Sequence, residues 1–156
     1  MDWWIGEEGY ARVAPPGGKS HATGHLASRA GIALMLRVLL VEDSKLLAER
    51  LRDTLDQIPG VVVIGTADTE GSAVAMMRAN DVDAMILDLQ LREGTGFGVL
   101  RTLGKTRPTV IVLTNFALPN YFEHAKQLGV EQFLDKGKDF ERLPEVLESL
   151  QRRLDS

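Results

Sequence analysis

From Leu36 onward, short apolar runs alternate with amphipathic stretches. The runs at 37–41, 61–65, 84–88, 109–113 and 131–134 are rich in Val, Ile and Leu and too short for helices, which predicts strands buried on both faces. Between and after them, apolar residues recur at helical spacing at about 44–57, 69–79, 96–104, 118–128 and 139–153. In the first of these stretches Leu46, Leu47, Leu51, Leu55 and Ile58 form the stripe, separated by Glu49, Arg50, Arg52 and Asp53; in the last it is Leu143, Val146, Leu147 and Leu150. Five strand-helix units in succession require crossover connections, because parallel neighbours cannot be joined by a tight turn. The expected fold is therefore α/β, a doubly wound five-stranded parallel sheet with helices on both faces.

Residues 1–34 follow neither period. Pro15, Pro16, Gly17 and Gly18 stand there among Ser, Thr, His and Ala, a composition expected of a disordered or loosely attached leader, with the domain over 35–156. Met35 directly precedes the first strand, so a translation start at that position is left open. A length of 156 residues suits one domain with one core.

Composition narrows the function mainly by exclusion. A net charge of −4 gives no electrostatic case for direct nucleic-acid binding. The absence of cysteine removes disulfides, thiolate metal sites and cysteine nucleophiles, and fits a reducing compartment. The apolar stretch from Ala30 to Val41 is too short to span a bilayer and is interrupted by Arg37. The expectation is a soluble, cytoplasmic protein without membrane insertion.

In an open parallel sheet the functional crevice lies beyond the carboxyl ends of the strands, where strand order reverses. The first strand ends in Glu42 and Asp43, the third in Asp88, the fourth in Thr114 and the fifth in Asp135 and Lys136. Carboxylates, a hydroxyl and an ammonium are thus expected on one edge. Any one of these acids alone has an ordinary explanation as a helix cap.

Together, "VLLVEDS", "AMILDLQL", "VIVLTNF" and "FLDKGKDF" resemble, in order and spacing, the four signature segments of bacterial response-regulator receiver domains. The resemblance covers roughly residues 36–153 and implies a flavodoxin-like strand order, 2-1-3-4-5. It implies that Asp88 accepts a phosphoryl group from a sensor histidine kinase or a histidine phosphotransfer protein. A magnesium ion would be held by Glu42, Asp43, Asp88 and the backbone carbonyl of Gln90. The chemistry needs such a cation because a carboxylate and a phosphate repel. Lys136 and Thr114 would then contact the transferred phosphoryl oxygens, and Thr114 with Phe133 would switch the surface. Packing alone would also account for an aromatic residue at 133.

Three positions depart from the family pattern. Arg92 and Gly137 stand where Pro is common, and Asn115 stands where Ala or Gly is common. Gly137 removes an expected cis peptide bond and predicts a loop around Lys136 that is differently shaped or more mobile.

The chain ends soon after the last helical pattern, so the expected protein is a stand-alone, non-enzymatic receiver acting through a separate protein target. Two alternatives are a phosphorylation-independent adaptor and an Asp-nucleophile, magnesium-dependent phosphohydrolase. Such hydrolases generally carry a second Asp two residues past the nucleophile, where Gln90 stands. Other apparent motifs are weaker. "GGKS" lacks the upstream Gly of a P-loop, because Val13 occupies that position. His21 and His25 have metal-like spacing in a loose context, and Trp3 and Trp4 fit no pattern. "GTGFG" (94–98) is expected to shape the loop beside Asp88 and to start a helix.

Overall fold

The computed structural model describes residues 35–155. Strands β1 (Leu36–Val41), β2 (Val61–Ala67), β3 (Ala84–Leu87), β4 (Thr109–Thr114) and β5 (Gln132–Asp135) form one parallel sheet in the order β2-β1-β3-β4-β5. Helices α1 (Lys45–Asp56), α2 (Glu70–Ala79), α3 (Gly96–Leu103) and α4 (Pro119–Gln127) connect successive strands, and a 3-10 turn (Phe140–Arg142) leads into α5 (Leu143–Asp155). The expected elements are all present, with shifts of one or two residues except at the start of the last helix, where the first turn is 3-10. The upstream "GGKS", the histidine pair and the two tryptophans lie outside the described residues.

The strand period of two sorts the core into two layers. Val38, Leu40, Ile86, Ile111, Leu113 and Leu134 pack with Leu51 and Leu55 of α1 and with Leu143 and Leu147 of α5. On the other face Leu39, Val41, Met85, Leu87 and Val112 pack with residues of α2, α3 and α4, among them Val74, Val99, Leu100 and Ala125. Within α1 the buried stripe runs through Ala48, Leu51 and Leu55, and Leu46 lies off it, 71% exposed. The stripe expected from the sequence therefore includes one residue that faces away from the core.

Side chains start three of the helices: Ser44, Thr69 and Thr95 accept hydrogen bonds from the backbone N–H groups of Leu47, Ser72 and Gly98. Helix α4 has Leu118 at the corresponding position, without a side-chain cap, and Pro119 in its first turn. No helix among the described residues is long and apolar enough to cross a membrane. Because β1 has β2 on one side and β3 on the other, strand order reverses between β1 and β3. The crevice opens at the ends of those two strands.

Candidate functional site

Two short strands deliver two buried acids to that crevice. The backbone N–H of Glu42 donates to Ala67 O (2.9 Å) and that of Asp88 to Val41 O (3.0 Å), so both residues still belong to the sheet ladder. Each is 5% exposed, while Asp43, one residue further along, reaches solvent. The Glu42 carboxylate is oriented by Ser44 N–H, which donates to Oε2 (3.0 Å), and Asp88 Oδ1 accepts from Gln90 N–H (3.3 Å). One carboxylate oxygen from each of Glu42, Asp43 and Asp88 lies within 4.8 Å of the others.

Lys136 enters from the end of β5. Its backbone N–H donates to Thr114 O (3.0 Å), which ties it to the end of β4. Its ammonium then lies 2.8 Å from Glu42 Oε1 and 2.8 Å from Asp88 Oδ2, with the side chain only 10% exposed. Burial pushes the Glu42 carboxyl above its ordinary value; the Lys136 hydrogen bond opposes this and the Asp88 charge adds to it. For Lys136 burial acts downward, but its hydrogen bonds to Asp88 and Glu42 and their charges outweigh it, so the ammonium is held above its ordinary range. Lys136 is therefore charged at neutral pH and acts as the built-in counter-ion of the two buried acids.

The structure thus brings Glu42, Asp43, Asp88 and Lys136 together. Thr114, fully buried, ends the neighbouring strand with its hydroxyl oxygen accepting from Phe116 N–H (3.1 Å). Gln90 contributes its backbone N–H to Asp88 and turns its side chain to solvent. Phe133 is half-buried on the face of α2, α3 and α4 and meets Phe122 of α4 edge to face, with ring centroids 5.6 Å apart. Asp135 does not join the acid cluster; its carboxylate turns back onto its own loop, where Oδ1 accepts from the N–H groups of Gly137 and Lys138.

The cluster fits a hard divalent cation. Its donors are all carboxylate oxygens, one of them solvent-facing, and magnesium prefers oxygen ligands while retaining several waters.

Two supporting features were not legible in the sequence. Arg92 holds Asp68 through Nε to Oδ2 and Nη2 to Oδ1, both 3.3 Å, and its N–H donates to Asp68 O (3.2 Å), so the loops after β2 and β3 are fastened together. Glu70, at the start of α2, accepts from Thr95 N–H (3.1 Å). No sequence spacing flags either contact, since the partners lie over twenty residues apart. The "GTGFG" segment acts as expected: a Cβ at Gly96 would collide with the Asp88 carbonyl oxygen, and one at Gly98 with the Glu70 carboxylate. Asn115 is exposed and, with Arg50 and Lys138, lines an open hollow beside Lys136.

An open parallel sheet with three acids and an ammonium at its switch point defines a receiver-type α/β domain. The sequence profile of the response regulator receiver domain matches residues 38–148, and the chain belongs to that family of two-component systems. It is 29% identical over 116 residues to the transcriptional regulatory protein DesR of Bacillus subtilis, covering 74% of this chain and 58% of DesR. It is 33% identical over 119 residues to the transcriptional regulatory protein CitB of Klebsiella pneumoniae, covering 75% of this chain and 51% of CitB. The match thus spans little more than half the length of these relatives. The fold superposes on the crystal structure of the response regulator domain of Thermotoga maritima CheB with a TM-score of 0.68 at 24% identity, covering 78% of this chain and 98% of that one.

Proposed function

We propose that Asp88 is the phosphoacceptor of this receiver, with magnesium held by Glu42, Asp43, Asp88 and the Gln90 carbonyl. The observation that carries this reading is the buried Asp88 carboxylate, hydrogen-bonded by the Lys136 ammonium and sharing a 4.8 Å cluster with Glu42 and Asp43. A bound magnesium would supply the positive charge that lets a carboxylate oxygen approach phosphorus. The Asp88 oxygen forms the new P–O bond as the P–N bond of a phosphohistidine breaks, and the imidazole leaves with the electron pair of that bond. Lys136 already sits at an Asp88 oxygen and supplies the charge that stabilises the phosphoryl oxygens as they approach. Thr114 supplies a hydroxyl donor from the end of β4.

The donor is a histidine kinase or a histidine phosphotransfer protein, acting in the cytoplasm where phosphohistidine is made from ATP. Output runs through contact with a downstream protein, without catalytic turnover of a substrate and without direct nucleic-acid binding by this domain. The test is labelling by acetyl phosphate, read by intact mass. Wild type should gain one phosphoryl group only when magnesium is present, and Asp88→Asn should gain none. Equal labelling of Asp88→Asn would place the acceptor elsewhere. Absence of both labelling and magnesium binding in wild type would favour an adaptor that retains only the fold.

A further inference from the structure

Lys136 has to be delivered to two buried carboxylates from a loop in which Gly137 follows it. Glycine places little restriction on the chain, and no peptide bond among the described residues is cis. The order of this loop comes from two aspartates that flank it. Asp135 Oδ1 accepts from Gly137 N–H (2.7 Å) and from Lys138 N–H (3.1 Å), so one carboxylate oxygen spans the lysine. Asp139 closes the loop from the other side: its Oδ2 accepts from Asp135 N–H (2.9 Å) and its own N–H donates to Asp135 O (2.8 Å). Asp139 is fixed in turn by Arg142, whose N–H donates to Asp139 O (2.8 Å) and whose guanidinium lies 3.6 Å from Oδ1. Gly137 fits this arrangement because a Cβ there would lie 3.3 Å from the accepting Asp135 oxygen and press on it.

We infer that Asp135 and Asp139 are positioning residues for Lys136, forming a hydrogen-bonded clasp that fixes the backbone on either side of the lysine so that its ammonium reaches Glu42 and Asp88. Neither aspartate touches the reacting groups. The inference rests on the reading of Lys136 as the ammonium that contacts the phosphoryl group. It concerns how that ammonium is held.

The test compares full-length wild type, Asp135→Ala, Asp135→Asn, Lys136→Ala and the Asp135→Ala/Lys136→Ala double variant. Magnesium affinity is measured by calorimetry, beryllofluoride affinity in saturating magnesium, and labelling rate with acetyl phosphate. Asp135→Ala should lose about tenfold in beryllofluoride affinity and labelling rate, because a reacting group displaced by a fraction of an ångström is costly. Its magnesium affinity should not fall, since the three acids stand on other loops and a loosened ammonium competes less with the metal for Glu42 and Asp88. Asp135→Asn retains an accepting side-chain oxygen and should recover most of the loss. In the Lys136→Ala background, Asp135→Ala should cause little further loss, which a generally weakened fold would not produce.

Wild-type beryllofluoride affinity in Asp135→Ala, an Asn variant as impaired as the Ala variant, or additive losses in the double variant would each overturn the inference. Should Asp135→Ala not fold, Gly137→Ala tests the same clasp through pressure on the accepting oxygen, with a smaller loss expected and no loss overturning the inference. If Lys136→Ala itself binds beryllofluoride as wild type does, the failure belongs to the role given to Lys136.

Discussion

At the scale of single residues, Glu42 and Lys136 both tie the stability of the metal-free domain to pH. Burial raises the Glu42 carboxyl above 4.5, so its favourable contribution is present below that pH and is lost as pH rises through the raised folded-state value. The Lys136 contribution has the same form at alkaline pH: it is intact below 10.5 and lost as pH rises through its raised value. At neutral pH Lys136 is therefore charged, and burial makes the ionised form of Glu42 the costly one. Replacing Glu42 by a neutral isostere should make the metal-free domain less sensitive to pH as it rises above 4.5. Magnesium should reverse the ranking. A ligand at a hundredfold its dissociation constant stabilises the state it binds by about 2.7 kcal/mol. Wild type should gain on the order of 2 kcal/mol in saturating magnesium and Glu42→Gln much less, as measured by denaturant unfolding with and without the metal. Equal gains would remove Glu42 from the ligand set.

At the scale of elements, α4 is anchored least. Ala125 is its one buried residue, whereas α3 buries five, and α4 begins at Leu118 without a side-chain cap. Phe116, Leu118 and Phe122, in and before it, remain exposed. Few buried contacts and an uncapped start mark an element that shifts at low cost. Thr114 stands just upstream, its hydroxyl oxygen bonded to Phe116 N–H at the head of the loop leading into α4. A phosphoryl oxygen on Asp88 would accept a hydrogen bond from that hydroxyl, giving the differential contact that a two-state shift requires. Amide shifts induced by beryllofluoride should therefore spread from Asp88 through residues 114–136. In Thr114→Val the mimic should still bind while the changes around Phe133 and α4 shrink. Persistence of those changes at full size in Thr114→Val would show that the hydroxyl does not couple the site to this face.

At the scale of the molecule, all five strands, both core layers and the acid cluster lie within residues 35–155, and the family match begins at residue 38. We propose that the domain folds and binds magnesium without residues 1–34. Deleting them should shift the melting temperature by no more than about 2 °C, the change expected from less than about 1 kcal/mol in a domain of this size. A shift several times larger would show that the leader packs on the domain.

Much of this was already determined by the linear pattern. Apolar runs of four or five residues separated by helical stripes dictate parallel strands with crossovers, since burial of both sheet faces depends only on local periodicity. The acids at the ends of β1 and β3 could be located for the same reason, because strand ends can be read without knowing the fold. Tertiary structure decided what periodicity cannot encode: Leu46 faces solvent off the α1 stripe, and Asp135 turns away from the acids to clasp its own loop. It also decided that the Lys136 ammonium bridges Glu42 and Asp88 and that Arg92 joins Asp68 across two loops. Each of these depends on where a side chain points once distant segments meet. Hydrogen bonds and ion pairs act over about 3 Å, so only the folded chain can choose the partners.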